Sequence, residues 1–473
     1  MKLQLTARRS EWGLLILIAC AALMGGSSRS DISSLIVLRP VAILALAWGL
    51  YRLSGAQARA NTAVLYLAGA WFGLTALQLV PLPPFLWHAL PGRELAQEID
   101  RAAGLADQWR PLSLVPWRTL NTLFALTVPL AALVLALGMP RSRLRVAIAF
   151  MVLIVWLSAG LSLLQVVGGD SSPFYTYRVT NAGSAVGLFA NRNHQAIFIA
   201  MGFPLIATAL ALWPVSREQI RLREWTAAGI TTLLVPFLLF TQSRAGIVVG
   251  LIGAGLAVWC YRSPREAAQP RRRKIALDPR IIFAGLATLA LVGLTLAFSA
   301  ANSIQRLGAE DDELRLSIWP PIFDMALSYL PTGSGLGTFV EIYATNEPDD
   351  LLAPQYINHA HNDYLELLMT GGLPFIGLLA IAAAVVFGKA AARLRRRGQR
   401  EDQILGRLGV SLILILAIGS AYDYPVRTPL LATILALAVV MVVGRETVGD
   451  VASDEGKKIA FTKDTGAKGR NPT

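Results

Sequence analysis

The chain has 473 residues, of which 54% are hydrophobic and only 15% are charged. About a quarter of the residues of a soluble protein are charged, so the composition argues against an ordinary soluble domain. The net charge of +13 is compatible with a nucleic-acid-binding protein, but the basic residues stand in short segments between apolar runs, which is typical of loops that orient membrane helices.

Apolar runs of nearly twenty residues recur along the chain, as a helix needs to cross roughly 30 Å of hydrocarbon. Continuous runs favour helices over the strands of a membrane barrel, in which apolar residues alternate. We predict an all-α polytopic membrane protein with about twelve spans. The spans lie near 12–28, 32–52, 62–80, 119–138, 144–167, 194–213, 225–241, 244–261, 281–300, 362–388, 405–420 and 428–444.

The basic loops predict the orientation of the spans. If the chain starts in the cytoplasm, every strongly basic loop falls on the cytoplasmic side, including YRSPREAAQPRRRK and ARLRRRGQRE, as the positive-inside rule requires. Both termini are then cytoplasmic, and the polar tail 448–473 is predicted to be disordered. The apolar run after Arg8 and Arg9 also resembles a secretory signal. We interpret it as a retained first helix.

Three longer segments fall on the opposite, outer side of the membrane, at 81–118, 168–193 and 301–361. The third segment is the largest and is rich in acidic residues. We therefore predict one membrane-embedded domain over 1–447, with a large loop on the outer face.

A single arginine interrupts the apolar stretch from Trp225 to Cys260, which is too long for one span. The sequence TQSRAG, Thr241–Gly246, therefore predicts a turn with Arg244 at a helix end. An arginine at the centre of a membrane helix costs about 2.5–3.5 kcal/mol, so one near a helix end is expected to be paired or functional. The alternative is an interfacial arginine that extends to the lipid headgroups.

A second arginine lies in the acidic outer segment, in the sequence DDELRLSIWPP. Arg315 and Trp319 are four residues apart and would share one face of a short helix. Arg315 is either a functional cation or a structural partner of Asp311 or Asp312 at helical spacing.

The stretch PTGSGLGTF follows, with glycines at 333, 335 and 337. It does not fit a dinucleotide site, because no strand precedes it. The glycines predict a tight turn whose backbone N–H groups could bind an anion.

Two of the four histidines lie in INHAHNDYLELL, where the acidic segment meets an apolar run. His359 and His361 cannot share a helix face, but in an extended segment they could bind a metal with Asp363 or Glu366. Alternatively they bond to the backbone, or one of them accepts a proton, since an imidazole titrates near pH 6.5.

Together these segments resemble the O-antigen ligase and polymerase superfamily of bacterial inner-membrane glycosyltransferases. The resemblance rests on GLFANRNHQA, TQSRAG, RLSIW followed by GSGLGTF, and HAHNDYLELL, which occur in this order and extend the likeness over nearly the whole chain. The Gly-x-x-G pair that often follows in the family is only approximated, because Phe375 lies between Gly372 and Gly377.

The resemblance implies a GT-C-like enzyme in the inner membrane, with its active site on the periplasmic face and an undecaprenyl-pyrophosphate-linked glycan as donor. It implies that Arg244 and Arg315 bind the pyrophosphate, which suits the fork of a guanidinium, and that His361 is the base. No metal or nucleotide cofactor is then required. Further candidates for binding substrate or orienting the base are His359, Asn193, His194, Asn362, Tyr364 and Asp423.

Two alternatives stay open. Within the family, the acceptor hydroxyl belongs to a growing glycan, to the lipid A core or to a protein. Outside it, about twelve spans also suit a transporter or a flippase for lipid-linked glycans, although such proteins generally carry internal repeats and ionisable residues near the bilayer midplane.

Overall fold

The computed structural model describes residues 2–213, 219–261, 310–352, 356–395 and 400–444. The helices in these ranges are α1 (Lys2–Met24), α2 (Leu35–Arg52), α3 (Gly55–Ala60), α4 (Thr62–Leu77), α5 (Pro84–His88), α6 (Glu94–Ala102), α7 (Pro116–Ala125), α8 (Thr127–Leu137), α9 (Leu144–Gly168), α10 (Arg192–Leu212), α11 (Ile220–Phe240), α12 (Arg244–Cys260), α13 (Glu310–Ser328), α14 (Phe339–Asn346), α15 (Asp363–Arg395), α16 (Arg400–Gly419) and α17 (Pro429–Val443). Single 3-10 turns occupy Arg141–Arg143, Asp349–Leu351 and Pro425–Arg427.

The helices confirm an all-α, multi-pass membrane protein. Within the described ranges, six helical segments are long and apolar enough to cross a membrane, and they are accompanied by shorter apolar helices such as α4, α12 and α17. Every predicted span within the described residues coincides with helical structure; the remaining one is the span near 281–300. That span and the tail 448–473 lie outside the described residues, so the total of about twelve spans stays a prediction.

α10 is the centre of the bundle. It is apolar around its whole circumference, so it buries all its faces, and it packs against α9, α11, α12 and α16. The α12 backbone comes close because Gly246 faces Ala196: a Cβ at Gly246 would lie 2.3 Å from the Cβ of Ala196. Small residues allow such close crossings in membranes. The first turns of α10 and α12 therefore lie side by side.

α15 is broken near its first third. Gly372 has φ 65° and ψ −163°, which is not helical. The glycine-rich loop after α13 fills the break: the N–H of Leu373 donates to the Pro331 carbonyl at 2.9 Å, and the N–H of Gly335 donates to the Thr370 carbonyl at 2.9 Å. The first turns of α15 are thereby tied to this loop and separated from the long membrane segment that follows.

The predicted glycine turn is present, since Gly333, Gly335 and Gly337 all have positive φ. The prediction that backbone N–H groups of this loop could bind an anion is wrong. The N–H groups of Gly333, Ser334, Gly335 and Leu336 all donate to acceptors within the protein, so they do not point at a ligand.

The outer segment 81–118 packs on the same loop. It contains a short antiparallel pair of strands, β1 (Pro81–Leu82) and β2 (Arg110–Pro111). The fully buried side chain of Arg93 donates to the Leu112 carbonyl at 2.8 Å and the Gly333 carbonyl at 3.3 Å. Burial lowers the pKa of Arg93 to about 10, which still leaves it charged at neutral pH.

Candidate active site

Three of the four histidines surround one tyrosine. The ring centroids of His359, His361 and His194 lie 4.2, 5.0 and 5.0 Å from that of Tyr424. His194 comes from the first turn of α10, His359 and His361 precede α15, and Tyr424 lies between α16 and α17. These four residues are called the histidine cluster below. The remaining histidine, His88, is exposed in α5 beside Trp87 and lies outside the cluster.

His361 contacts a buried carboxylate. Its Nδ1 lies 3.3 Å from Oδ1 of Asp423, and its side chain is 24% exposed whereas that of Asp423 is 2% exposed. The backbone of His361 is left-handed, with φ 50°, which is uncommon for any residue but glycine. Strain of this kind persists where surrounding contacts hold it, often at functional sites. His361 thus rests on Asp423 and keeps part of its ring accessible.

Asp423 collects positive and donor groups from several elements. Nε2 of His194 lies 3.9 Å from its Oδ1, and Asn191 donates to its Oδ2 at 3.4 Å. Burial opposes ionisation of this carboxyl. The close contact of His361, together with positive charge on His194, His361 and Arg315, outweighs burial and holds the pKa of Asp423 well below its usual range. Asp423 is therefore a permanent anion beside His361.

His359 contacts a different carboxylate. Its Nδ1 lies 3.1 and 3.2 Å from the two oxygens of Glu366, which is 1% exposed. Glu366 also accepts the N–H of Ala360 at 3.1 Å, and the Ala360 carbonyl accepts the indole N–H of Trp319 at 2.9 Å. Burial lowers the pKa of His359, and the charge of Glu366 only partly opposes this effect.

Arg427 holds two carboxylates at the start of α15. Its Nε lies 3.0 Å from Oδ1 of Asp363, and its Nη1 lies 2.9 Å from Oε1 of Glu366. The hydroxyl of Ser420 donates to the other oxygen of Asp363 at 2.9 Å. Although burial disfavours the charged guanidinium, Glu366 and Asp363 raise the pKa of Arg427.

The TQSRAG turn is joined to the cluster through α10. The predicted turn is present: Gln242 has φ 55°, and α12 begins at Arg244. The Ser243 hydroxyl accepts the N–H of Gly246 at 2.9 Å and donates to Oδ1 of Asn193 at 2.7 Å. Asn193 immediately precedes His194, so Arg244 is placed at a helix start next to the cluster, with an exposed side chain.

Arg315 and Trp319 lie on α13, both half-buried. The charge of Arg315 lowers the pKa of Asp423, so the guanidinium lies within electrostatic reach of the cluster. The side chains of Asp311 and Asp312, the alternative partners, are outside those that the structure describes.

Asn362 and Tyr364 have structural contacts in this conformation. Oδ1 of Asn362 accepts the N–H groups of Tyr364 and Leu365 at 3.0 and 3.1 Å, which caps the start of α15. The hydroxyl of Tyr364 donates to the Ala417 carbonyl at 2.7 Å and fixes α15 to α16. Their role as substrate contacts stays a prediction.

An apolar cavity of about 430 Å³ opens beside Asn362, between α13 and α15. The residues that line it are Leu316, Trp319, Pro320, Phe323, Asn362 and Leu365. It reaches the segment that carries His361, because Asn362 is the next residue.

The two histidines of His-Ala-His face different carboxylates, His359 toward Glu366 and His361 toward Asp423. Within the described ranges, no group of three or more His, Cys, Asp or Glu side chains has the arrangement of a metal site. The geometry fits two separate histidine–carboxylate pairs better than a shared chelate.

Sequence reasoning missed Tyr424, Asn191 and Arg427, and considered Glu366 only as a metal ligand. A signal for Arg427 was present: it is a charged residue in the short segment AYDYPVR between two apolar runs. Its partners at the start of α15 are distant in the sequence, so the pairing needed the fold.

Comparison with known proteins gives one family. Residues 229–382 match the family model described as O-antigen ligase. The matched segment carries Arg244, Arg315, His359 and His361, while His194 and Asp423 lie outside it. No curated protein matches the chain. The match over residues 229–382 supports the resemblance of the chain to the O-antigen ligase and polymerase superfamily.

Proposed function

We propose that the chain is a glycosyltransferase that moves a glycan from undecaprenyl pyrophosphate to an acceptor hydroxyl at the periplasmic face of the bacterial inner membrane. The observation that carries the proposal is the pair of His361 and Asp423, an accessible imidazole against a buried carboxylate that is held ionised. A base of this kind needs a partner that orients its ring and stabilises the imidazolium that forms.

His361 is the proposed base. A carboxylate is an acceptor only, so Asp423 favours the tautomer that carries hydrogen on Nδ1 and leaves Nε2 to accept the proton of the acceptor hydroxyl. The hydroxyl oxygen attacks the anomeric carbon as the bond from that carbon to the pyrophosphate oxygen breaks. The products are the new glycoside and undecaprenyl pyrophosphate, with the proton held on His361.

Arg244 and Arg315 are the proposed partners of the leaving group. Negative charge grows on the pyrophosphate as the bond breaks, and a guanidinium grips two phosphate oxygens with a charge that does not titrate. Arg244 lies at the start of α12, next to the Ser243–Asn193 hydrogen bond, and Arg315 acts on Asp423 through its charge. The donor is already an activated sugar, so neither a metal nor a nucleotide is required.

The acceptor defines the subtype. A growing repeat unit would make the chain a polysaccharide polymerase, the lipid A core would make it a ligase, and a protein hydroxyl would make it a protein glycosyltransferase. Glycan analysis of a deletion strain distinguishes the three. Loss of polymer length indicates a polymerase, loss of attachment to lipid A indicates a ligase, and loss of protein glycosylation indicates a protein glycosyltransferase.

A transporter or flippase for lipid-linked glycans is the second candidate. The break of α15 at Gly372 favours it, because broken helices with nearby charged residues are common in transporters. A transporter moves the donor across the bilayer unchanged, whereas a transferase consumes it.

The test uses purified full-length protein in lipid vesicles with lipid-linked donor, acceptor, excess chelator and no nucleotide. We expect glycoside product from the wild type. His361→Ala should lower the transfer rate by about 10²–10⁴-fold, the usual contribution of a general base, with protein level and thermal stability unchanged. His88→Ala is the matched control and should retain wild-type activity.

Two results would overturn the proposal. Donor that crosses the bilayer with no glycoside formed would identify a transporter. Activity that disappears in chelator and returns with one added metal would replace the base mechanism with a metal-dependent one.

A further inference from the structure

Arg427 has no part in the transfer step proposed above, yet it binds two buried carboxylates next to the histidine cluster. Asp363 and Glu366 are 8% and 1% exposed, and the arginine side chain itself is 20% exposed. Burying such charges is costly unless geometry and hydrogen bonds compensate. An arrangement of this cost at the edge of an active site suggests a role in the site.

The three charges join two elements that both carry cluster residues. Asp363 and Glu366 are three residues apart in the first turn of α15, so they face the same side, directly after the segment of His359 and His361. Arg427 ends the 3-10 turn that begins one residue after Tyr424. Arg427 thus fixes the position of the Tyr424 ring relative to the two histidines.

The contact also decides how His359 is protonated. Glu366 is an acceptor only, so Nδ1 of His359 carries the hydrogen that lies between them. A carboxylate with no other partner would favour the imidazolium form of His359. Arg427 at 2.9 Å already balances the charge of Glu366, which leaves the neutral ring as the favoured form.

Neutrality of His359 matters for its neighbour. His359 and His361 lie on the same tyrosine ring, and a positive charge on one opposes a positive charge on the other. A charged His359 would therefore resist the proton that His361 must accept from the substrate.

We propose that Arg427 is a positioning residue, which holds Glu366 under His359 and keeps His359 neutral with its hydrogen on Nδ1, so that the proton taken up during transfer goes to His361. The role of Arg427 in transfer rests on the proposed function. The contacts of Arg427 with Glu366 and Asp363 do not depend on it.

Among the residues that the structure describes, the charges that face His359 come from four places. Glu366 on α15 favours a positive His359, while Arg427 after the Tyr424 turn, His361 in the same segment and His194 on α10 oppose it when charged. Removal of Glu366's charge and removal of Arg427's charge should therefore shift the titration of His359 in opposite directions. Loss of a purely structural support would not produce opposite signs.

The experiment is histidine-selective ¹⁵N NMR of the full-length protein in lipid nanodiscs. The chain has only four histidines, so each ring can be assigned by one His→Gln variant, and His88 serves as the internal reference. The wild type should show His359 as the neutral tautomer protonated on Nδ1 at neutral pH. Arg427→Lys, which keeps the charge, is the control and should titrate close to the wild type.

Two variants carry the test. Glu366→Gln should move the midpoint of His359 to lower pH. The paired change Asp363→Asn with Arg427→Gln keeps the net charge of the contact but leaves His359 as the partner of Glu366. It should move the midpoint of His359 to higher pH, by about one unit or more. In vesicles, the pH below which kcat for transfer falls should move upward together with that midpoint, and KM should change little.

Shifts of both midpoints in the same direction, or no shift in either variant, would overturn the inference. The two proposals fail separately: a wild-type protein with no transferase activity refutes the proposed function, whereas the NMR midpoints test the Arg427 contact in either case. Opposite midpoint shifts without any change in the pH dependence of kcat would confine Arg427 to a structural role and refute its part in transfer.

Discussion

Each histidine of the cluster meets a different environment, although all three lie on the Tyr424 ring. His361 contacts Asp423 and keeps a quarter of its side chain exposed, His359 contacts Glu366, and His194 is enclosed beside Phe189 at 1% exposure. The accessible ring is the one that can meet an acceptor hydroxyl. The other two pack on the tyrosine ring, His359 from the segment before α15 and His194 from the first turn of α10.

The arginines give a second prediction at the scale of single residues. Arg244→Lys and Arg315→Lys keep the positive charge but lose the planar fork that binds two phosphate oxygens. Each should lower the transfer rate by on the order of 10²-fold, as the loss of one donor to a developing anion does. The measurement is transfer in vesicles at matched protein levels.

Arg59→Lys provides the matched control, since Arg59 is exposed in α3, away from the cluster. Wild-type rates in both lysine variants of Arg244 and Arg315 would show that charge alone suffices, or that neither guanidinium meets phosphate.

The types of residue at the site could be predicted from the sequence, but their partners could not. His361, Asp423 and His194 stood out because polar side chains are rare next to apolar runs. Nothing local indicates that His359 turns to Glu366 while His361, two residues later, turns to Asp423. That choice depends on the left-handed backbone of His361 and on where the chain after α16 returns.

At the scale of helices, the crossing of α10 and α12 sets the position of Arg244. The two helices touch where Gly246 meets Ala196, one turn into each helix. The hydrogen bond from Ser243 to Asn193 lies at the same end. A wider crossing would therefore move Arg244 away from the histidine cluster.

Two glycines of α12 test this crossing with the same substitution. Gly246→Ala should destabilise the protein by about 1–3 kcal/mol, as overpacking usually does, and should reduce transfer. Gly255→Ala is the control, because nothing lies within 4 Å of its Cβ position and alanine favours helix over glycine by about 1 kcal/mol. Thermal unfolding in detergent gives the comparison, and equal melting temperatures for the two variants would contradict it.

The helices themselves were predictable because apolar runs report membrane spans directly. The break in α15 was not predicted, although Gly371, Gly372 and Pro374 interrupt the apolar run after Tyr364 and such residues often mark a break in a helix. The non-helical backbone at Gly372 faces the loop at Pro331–Gly335. This loop donates hydrogen bonds to the α15 backbone before Gly372 and accepts one from the backbone after it. Such a contact between distant segments leaves no periodic trace.

At the scale of the whole molecule, the ion pairs made by the basic segments and the candidate active site lie at opposite ends of α16. Asp402, near its start, pairs with Arg141 and Arg393. Ser420, just after its end, bonds to Asp363 in the site. A helix of 20 residues is about 30 Å long, close to the thickness of a membrane core. This separation supports a site on the face opposite the basic loops.

Cysteine labelling tests this arrangement in a background with Cys20 and Cys260 replaced by serine. Asp350→Cys, exposed in the predicted outer segment 301–361, should react with a membrane-impermeant maleimide added outside spheroplasts, whereas Arg59→Cys should react only after the membrane is opened. The reverse pattern would invert the topology. Labelling of His361→Cys from both sides would instead indicate the alternating access of a transporter.

The position of Tyr424 in the chain has a consequence for biogenesis. The ring that gathers the histidines, and the carboxylate beside it, are synthesised after every other residue of the site except Arg427. A ribosome-bound chain that has already inserted α10, α12 and α15 therefore holds three histidines without the surface that orders them. Under the proposed function, nascent chains in the membrane should be inert toward the lipid-linked donor, and the donor should be consumed only after the last two helices, α16 and α17, have inserted.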